Sequence, residues 1–121
     1  MREFETILSN LVVDVEGLYA AAVGGVDGLL IEGFSRTSAV DLESAVAEHA
    51  GLLRATRDSY AVAMGTPTIK EWWAVGQPLM GYVTPLSDEY FLLCVGGPEV
   101  NLGRLRVKAR QAAEALKGVL A

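Results

Sequence analysis

The side chains best suited to chemistry in this 121-residue chain are its single histidine and single cysteine, His49 and Cys94. Histidine is a common general base at neutral pH, and a cysteine thiolate is a strong nucleophile. However, His49 lies on the apolar stripe of a predicted helix, and Cys94 lies within the apolar stretch FLLCV. A thiol buried in such surroundings has a raised pKa and is inert. We therefore expect a partly buried, hydrogen-bonded histidine, a core cysteine and no catalytic residues, so that the protein is not an enzyme.

Two glycine-rich segments are the remaining candidates for ligand binding, GGVDG at 24–28 and GGPEVNLG at 96–103. Neither ends in the Lys-Ser/Thr pair of a phosphate-binding loop. The second segment precedes a predicted helix, whose N-terminus could hold an anion, but Glu99 in the first turn would repel a phosphate. No group of His and Cys has metal-ligand spacing. The sequence thus predicts no cofactor and no metal, and it predicts Asn101 as a helix cap.

The pattern of apolar residues predicts a single domain over 1–121 with the element order α-β-β-α-β-β-β-α. A tight turn at Asp27-Gly28 joins the first two strands as an antiparallel hairpin. Ser38 is predicted to cap the long second helix, with Asp41 completing a capping box. The predicted helices span 2–15, about 39–64, and 101–120, and the predicted strands span 18–24, 28–33, 68–75, 79–84 and 89–95.

The long helix carries two distinct stripes. An apolar stripe should face the sheet, and it consists of Leu42, Val46, His49, Leu53, Tyr60 and Met64, widened by Ala45, Leu52, Ala55, Val62 and Ala63. A second strip has small residues edged by charge, namely Ala47, Ala50, Gly51, Arg54 and Asp58. Glycine inside a helix costs about 1 kcal/mol relative to alanine. We interpret the strip as a surface on which another helix packs closely, and the alternative is a glycine that is merely tolerated.

Composition limits the classes of partner. The net charge of −5 argues against nucleic acid, and no run of about 20 apolar residues is present to span a membrane. The N-terminus lacks the features of a signal peptide, and the single cysteine excludes an internal disulfide, so we expect a cytoplasmic protein. The mean hydropathy of +0.31 indicates spare apolar surface, which subunit contacts would bury.

Half of the cations lie in the last predicted helix, between Arg104 and Lys117. They form either a solvated helix face or a basic docking surface. The adjacent Trp72 and Trp73 point to opposite faces of their strand. One should enter the core, and the other should lie under a helix or at an interface, where tryptophan is enriched.

Three segments carry a resemblance to a known family: AAAVGGVDGLLIEG at 20–33, SAVAEHAGLLRATRDS at 44–59 and EVNLGRLRVKARQAAEAL at 99–116. With the element order, they make the sequence similar to the Roadblock family, the dynein-light-chain-type modules that bacteria and archaea also have. The resemblance covers nearly the whole chain. It implies an α+β, profilin-like sandwich, in which a five-stranded antiparallel sheet has the first and last helices on one face and the long helix on the other.

The resemblance also implies a dimer and a partner. Roadblock proteins pair through their third strands, forming a ten-stranded sheet, and their long helices lie side by side. The implied dimer interface here consists of Ala47, Ala50, Gly51, Ile69, Trp72, Trp73 and Val75. The family regulates or scaffolds Ras-like small GTPases, and MglB-like homodimers accelerate GTP hydrolysis without inserting an arginine finger. The implied GTPase-binding residues are Arg54, Arg57 and Asp58.

Two other functions remain open on the sequence. The first is an adaptor in a signalling complex that does not distinguish the GTP-bound from the GDP-bound state of a partner. The second is a small-molecule sensor, which predicts a monomer with a ligand cavity near Trp72 or Trp73. Excess hydrophobicity and the long helix favour the GTPase-binding homodimer over the sensor.

Overall fold

The order of helices and strands matches the sequence prediction. In the computed structural model, which describes residues 2–66 and 68–120, the elements are α1 (Arg2–Asp14), β1 (Leu18–Gly25), β2 (Leu30–Ser35), α2 (Leu42–Met64), β3 (Trp72–Val75), β4 (Met80–Pro85), β5 (Tyr90–Gly96) and α3 (Leu102–Leu120). The strands form one antiparallel sheet in the order β2-β1-β5-β4-β3. The strands β2 and β3 are therefore its two edges.

Both faces of the sheet are covered, and strand alternation divides the core in two. Side chains at alternate positions of a strand point to opposite faces. Along β1, Ala21 and Val23 belong to the cluster beneath α1 and α3, whereas Ala20 and Ala22 belong to the cluster beneath α2. The central strands β1 and β5 are almost wholly buried, as expected for strands covered on both sides. This is the predicted two-sided sandwich.

Glycines in the sheet bring α2 close to it. A Cβ atom at Gly24 would lie 2.6 Å from Val46 Cγ1, and one at Gly81 would lie 2.7 Å from His49 Nε2. Real Cβ atoms do not approach other atoms so closely, so any larger residue would push the helix away. These two strand glycines thus set the distance between α2 and the sheet.

Several element boundaries differ from the sequence prediction. The helix α2 begins at Leu42, and its N-cap is Asp41, not Ser38: the Asp41 carboxylate accepts from the Ser44 backbone N–H. The strand β2 is Leu30–Ser35, so it begins and ends two residues later than the predicted strand 28–33. The strand β3 is shorter than 68–75, because only its last four residues pair with β4. Asn101 caps α3 as predicted, accepting from Arg104 N–H at 3.0 Å.

The predicted apolar stripe of α2 is buried only in its first half. Val46, Ala50 and Leu53 are the buried residues of this helix, and none lies beyond Leu53. Tyr60 and Met64 are exposed, contrary to the prediction that the whole stripe faces the sheet. Leu52, Ala55, Val62 and Ala63 are also exposed and do not widen the stripe. The 23 residues of α2 span about 35 Å, and none of the residues in its last three turns is buried.

Candidate functional surface

The outer face of α2 is an exposed stripe of apolar and small residues. Leu52, Ala55, Ser59 and Val62 recur at three- and four-residue spacing, so they lie on one side of the helix. Leu52 is 45% exposed and Val62 is 89% exposed. Three of these residues were predicted from the sequence to lie in the core. Helical spacing indicates a common face for them, but it does not show which face meets the sheet.

The small residues that were predicted to contact a second helix have neighbours within the chain. Ala50 has no exposed surface and packs against the sheet. Ala47 is exposed, and its Cα lies 3.8 Å from the position that a Cβ of Gly28 would occupy. Gly51 is half-buried. The turn between β1 and β2 therefore approaches this strip of α2, and only Ala47 and Gly51 retain surface that a partner could reach.

The three predicted partner-binding residues lie on one stretch of α2, beyond the last buried side chain. Arg54 is exposed, yet its guanidinium donates a hydrogen bond to the Val26 carbonyl oxygen in the turn between β1 and β2. Arg57 is half-buried, and Asp58 is exposed. The structure brings the three together because they are at most four residues apart on one helix. The hydrogen bond from Arg54 also connects α2 to the β1–β2 hairpin.

The edge strand β3 has free backbone groups. The Gly76 N–H donates to the Leu79 carbonyl, which makes these two residues a hydrogen-bonded pair at the end of the β3–β4 hairpin. Hydrogen-bonded and non-hydrogen-bonded pairs alternate along an antiparallel ladder. The backbone groups of Trp73 and Val75 therefore point away from β4, toward the open edge. Val75 is also 59% exposed.

The two tryptophans point to opposite sides of the sheet, as predicted. Trp72 is half-buried on the α2 side and makes an edge contact with the His49 ring, whose centroid is 5.8 Å away. Trp73 is 41% exposed on the α3 side. Ile69, which was also predicted to lie at the interface, is buried beneath α2.

A polar network holds Trp73 in place. Its ring stacks on Tyr82 at a centroid distance of 6.5 Å, and the Arg106 guanidinium lies 5.4 Å from the ring centroid. Glu71 joins the network by accepting from the Tyr82 hydroxyl at 2.7 Å and from Arg106 Nε at 3.0 Å. The network therefore fixes one exposed residue of the sheet edge.

The network shifts the pKa values of Glu71 and Tyr82 in opposite directions. Hydrogen bonds from Arg106 hold the pKa of the Glu71 carboxyl below its usual value, against the opposing effect of burial, and the Tyr82 hydroxyl acts in the same direction as Arg106. Burial, followed by the hydrogen bond to Glu71, raises the pKa of Tyr82 well above its usual value. At neutral pH Glu71 is therefore ionised and Tyr82 is a neutral hydrogen-bond donor.

The histidine and cysteine lie on different sides of the sheet and form no common site. His49 Nδ1 lies 2.7 Å from the Ala45 carbonyl oxygen, so it carries the proton and donates. Cys94 is buried in the cluster beneath α1 and α3, and burial raises the pKa of its thiol to about 12. Within residues 2–66 and 68–120, no group of three or more His, Cys, Asp or Glu side chains could hold a metal ion. None of the helices in that part of the chain is long and apolar enough to cross a membrane.

No protein-family model and no curated protein matches the sequence. Solved structures do match it. A Roadblock/LC7 domain from Streptomyces avermitilis is 17% identical, with a TM-score of 0.85 and 96% of each chain covered. The gliding protein mglB from Thermus thermophilus is 20% identical, with a TM-score of 0.86 over 98% of this chain and 88% of the other. MglC from Myxococcus xanthus is 29% identical, with a TM-score of 0.68 over 96% and 98%.

These matches confirm the predicted resemblance at the level of the fold. The chain has the Roadblock/LC7 fold, with its helices and its five-stranded sheet in the expected arrangement. Profilin II of Acanthamoeba castellanii is also similar, with a TM-score of 0.65, which supports the profilin-like description.

Proposed function

We propose that this protein is a non-enzymatic homodimer that binds a Ras-like small GTPase and regulates or scaffolds it. The observation that carries the proposal is the pair of unpartnered surfaces on a Roadblock fold: the outer face of α2 and the open edge of β3. The similar structures include a gliding protein and an arrangement of MglB described as tetrameric. They support self-association and a role in a process such as gliding motility.

In the proposed dimer, two copies pair along β3 and align their α2 helices. An open edge strand with free N–H and C=O groups is a template for pairing with another strand. Trp73 and Val75 would lie at that seam. The α2 contact would use Ala47 and Gly51 together with the exposed stripe Leu52, Ala55, Ser59 and Val62, since the side chain of Ala50 is not accessible. Burial of these residues accounts for the excess hydrophobicity of the chain.

The GTPase would contact the exposed part of α2 that includes Arg54, Arg57 and Asp58. The chain would supply no catalytic group of its own. It would act by repositioning groups of the GTPase that stabilise charge in phosphoryl transfer, a kind of effect that can be very large.

Affinity capture from a lysate of the source organism tests the proposal. The tagged protein is incubated once with a non-hydrolysable GTP analogue and once with GDP, and bound proteins are identified by mass spectrometry. A Ras-like GTPase enriched with the GTP analogue is expected. Equal enrichment in both samples would favour an adaptor, and no GTPase in either would contradict the proposal.

The sensor alternative predicts a ligand cavity near Trp72 or Trp73. The groove of about 530 Å³ between α3 and the end of β4 is not lined by Trp72 or Trp73. Its lining is instead a charged rim above an apolar floor.

A further inference from the structure

A groove of about 530 Å³ separates the second half of α3 from the end of β4 and the segment before β3. Its volume is within the usual range of ligand sites, but it is an open furrow and not a closed pocket. Its floor is apolar, since it includes Ile69, Leu86 and Ala113, all of which are buried. An apolar side chain of a ligand could therefore lie on the floor without removing water from a polar group of the protein.

The rim of the groove carries cations from three separate parts of the chain. Arg57 comes from α2, Lys70 from the segment before β3, and Arg110 from α3. None of the three forms a salt bridge or a side-chain hydrogen bond with another residue in 2–66 or 68–120. The charges of Arg57 and Lys70 are therefore available to a ligand, while Arg110 also acts on Glu71, whose pKa it helps to lower.

The acidic residues of the groove are mostly engaged. Glu71 accepts hydrogen bonds from Arg106 and Tyr82, and Glu114 lies 3.4 Å from Lys117 Nζ. This leaves Asp88 as one carboxylate against three cations. The whole chain has a net charge of −5, so the groove is locally opposite in sign to the molecule that contains it.

We propose that this groove binds an extended acidic segment of a partner protein, with an apolar side chain on the floor and carboxylates beside Lys70, Arg110 and Arg57. The groove is open and not enclosed, and its cations come from three separate elements, which suits an extended segment better than a single small anion. The acidic remainder of the surface would repel such a segment elsewhere and direct it to the groove. The groove shares the buried Ile69 with the dimer interface that the resemblance implies, but neither Trp73 nor Val75, the exposed residues of the proposed seam, lines it.

The test uses a fluorescein-labelled peptide with a central leucine flanked by glutamates on both sides, and fluorescence anisotropy at low ionic strength. The wild-type protein is expected to bind this peptide and to bind a matched glutamine peptide at least tenfold more weakly. The double variant Lys70→Gln/Arg110→Gln should lose about tenfold in affinity for the glutamate peptide. Added salt should weaken wild-type binding as well.

A matched double variant, Arg36→Gln/Lys108→Gln, removes the same charge elsewhere. Arg36 lies in the connection between β2 and α2, and Lys108 lies on the side of α3 that faces α1. This control should bind like the wild type. Equal losses in both variants, equal binding of both peptides, or no binding at millimolar peptide would each overturn the proposal.

The outcome can be separated from that of the GTPase proposal. Lys70 and Arg110 lie outside the proposed GTPase-binding and dimer surfaces, and Arg57, which is shared, is left unchanged. The groove variant should therefore keep its sedimentation behaviour and its capture of a GTPase. If peptide binding fails while capture persists, only the groove assignment is wrong.

Discussion

At the scale of single residues, the contact between Gly81 and His49 is the clearest constraint on α2. A methyl group at position 81 would lie 2.7 Å from His49 Nε2, and the His49 ring is also held by the Ala45 carbonyl and Trp72. The ring therefore has little freedom to move aside. The sequence does not indicate that Gly81 and His49 are neighbours, because the two are brought together only by the packing of α2 on β4.

We expect Gly81→Ala to destabilise the protein by about 1–3 kcal/mol, the usual range for an overpacked site. Urea unfolding at equilibrium measures the change. Gly118→Ala is the control, because a Cβ there meets no atom within 4 Å and the substitution should stabilise a helix by about 0.5–1 kcal/mol. When His49 is also replaced by alanine, Gly81→Ala should lower the free energy of unfolding much less than it does in the wild-type protein. An additive double variant would show that His49 is not the obstacle.

Glu71 gives a second prediction at this scale. Its pKa is lower in the folded state than in the unfolded chain, so its carboxylate stabilises the fold fully above the unfolded value of about 4.5. That stabilisation is lost as the pH falls through the folded pKa. Glu71→Gln should therefore lower stability at pH 7 and reduce the slope of stability against pH between about 5 and 3.

Thermal unfolding followed at several pH values measures both effects. Glu114→Gln serves as the control, because the Glu114 side chain is 70% exposed and pairs only with Lys117 among the described residues. Its acid unfolding should parallel that of the wild type. Parallel profiles for Glu71→Gln and the wild type would contradict the role assigned to the network.

At the scale of elements, the sequence predicts the buried face of α2 correctly but not the point along the helix at which burial ends. The spacing of Val46, His49 and Leu53 identifies the helix and its buried face correctly. The same period continues to Tyr60 and Met64, which are exposed, because periodicity along one helix does not indicate where the sheet beneath it ends. The hairpin at Asp27-Gly28 and the cap at Asn101 were predictable, since their signals are local.

The exposed end of α2 makes Val62 the most informative position for the dimer. Val62 is 89% exposed within one chain, so Val62→Glu should change the stability of the monomer by less than about 0.5 kcal/mol. In the proposed dimer the same glutamate would be desolvated, and it would face its symmetry mate or apolar side chains. We therefore expect Val62→Glu to convert a dimer into a monomer in sedimentation velocity experiments.

A matched valine on another helix controls for charge and exposure. Val13 on α1 is 73% exposed, and Val13→Glu should leave the dimer intact. A wild-type protein that is monomeric at high concentration, or a Val62→Glu variant that stays dimeric, would contradict the proposed α2 contact.

At the scale of the whole molecule, the surfaces that matter are assembled from distant parts of the sequence. The groove between α3 and the end of β4 is lined by Arg57, Lys70 and Arg110. These three residues are far apart in the sequence and belong to no common motif. The excess of cations in the last helix is evident from the sequence, but only the fold separates those that line the groove from those that face α1. The fold itself was predictable from element order, because few small domains share that order.

The proposed function requires the protein to bind a Ras-like GTPase in a manner that depends on the nucleotide bound to that GTPase. The most direct measurement is calorimetric titration of the captured GTPase, loaded with a GTP analogue or with GDP, into the wild-type protein and into Arg54→Glu/Arg57→Glu. Asp58→Lys is a second variant that leaves the hydrogen bond from Arg54 to Val26 intact. We expect tighter binding of the GTP-analogue form, two chains per GTPase, and a large loss of affinity in both variants. Equal affinity for the two nucleotide states, or unchanged binding by both variants, would contradict it.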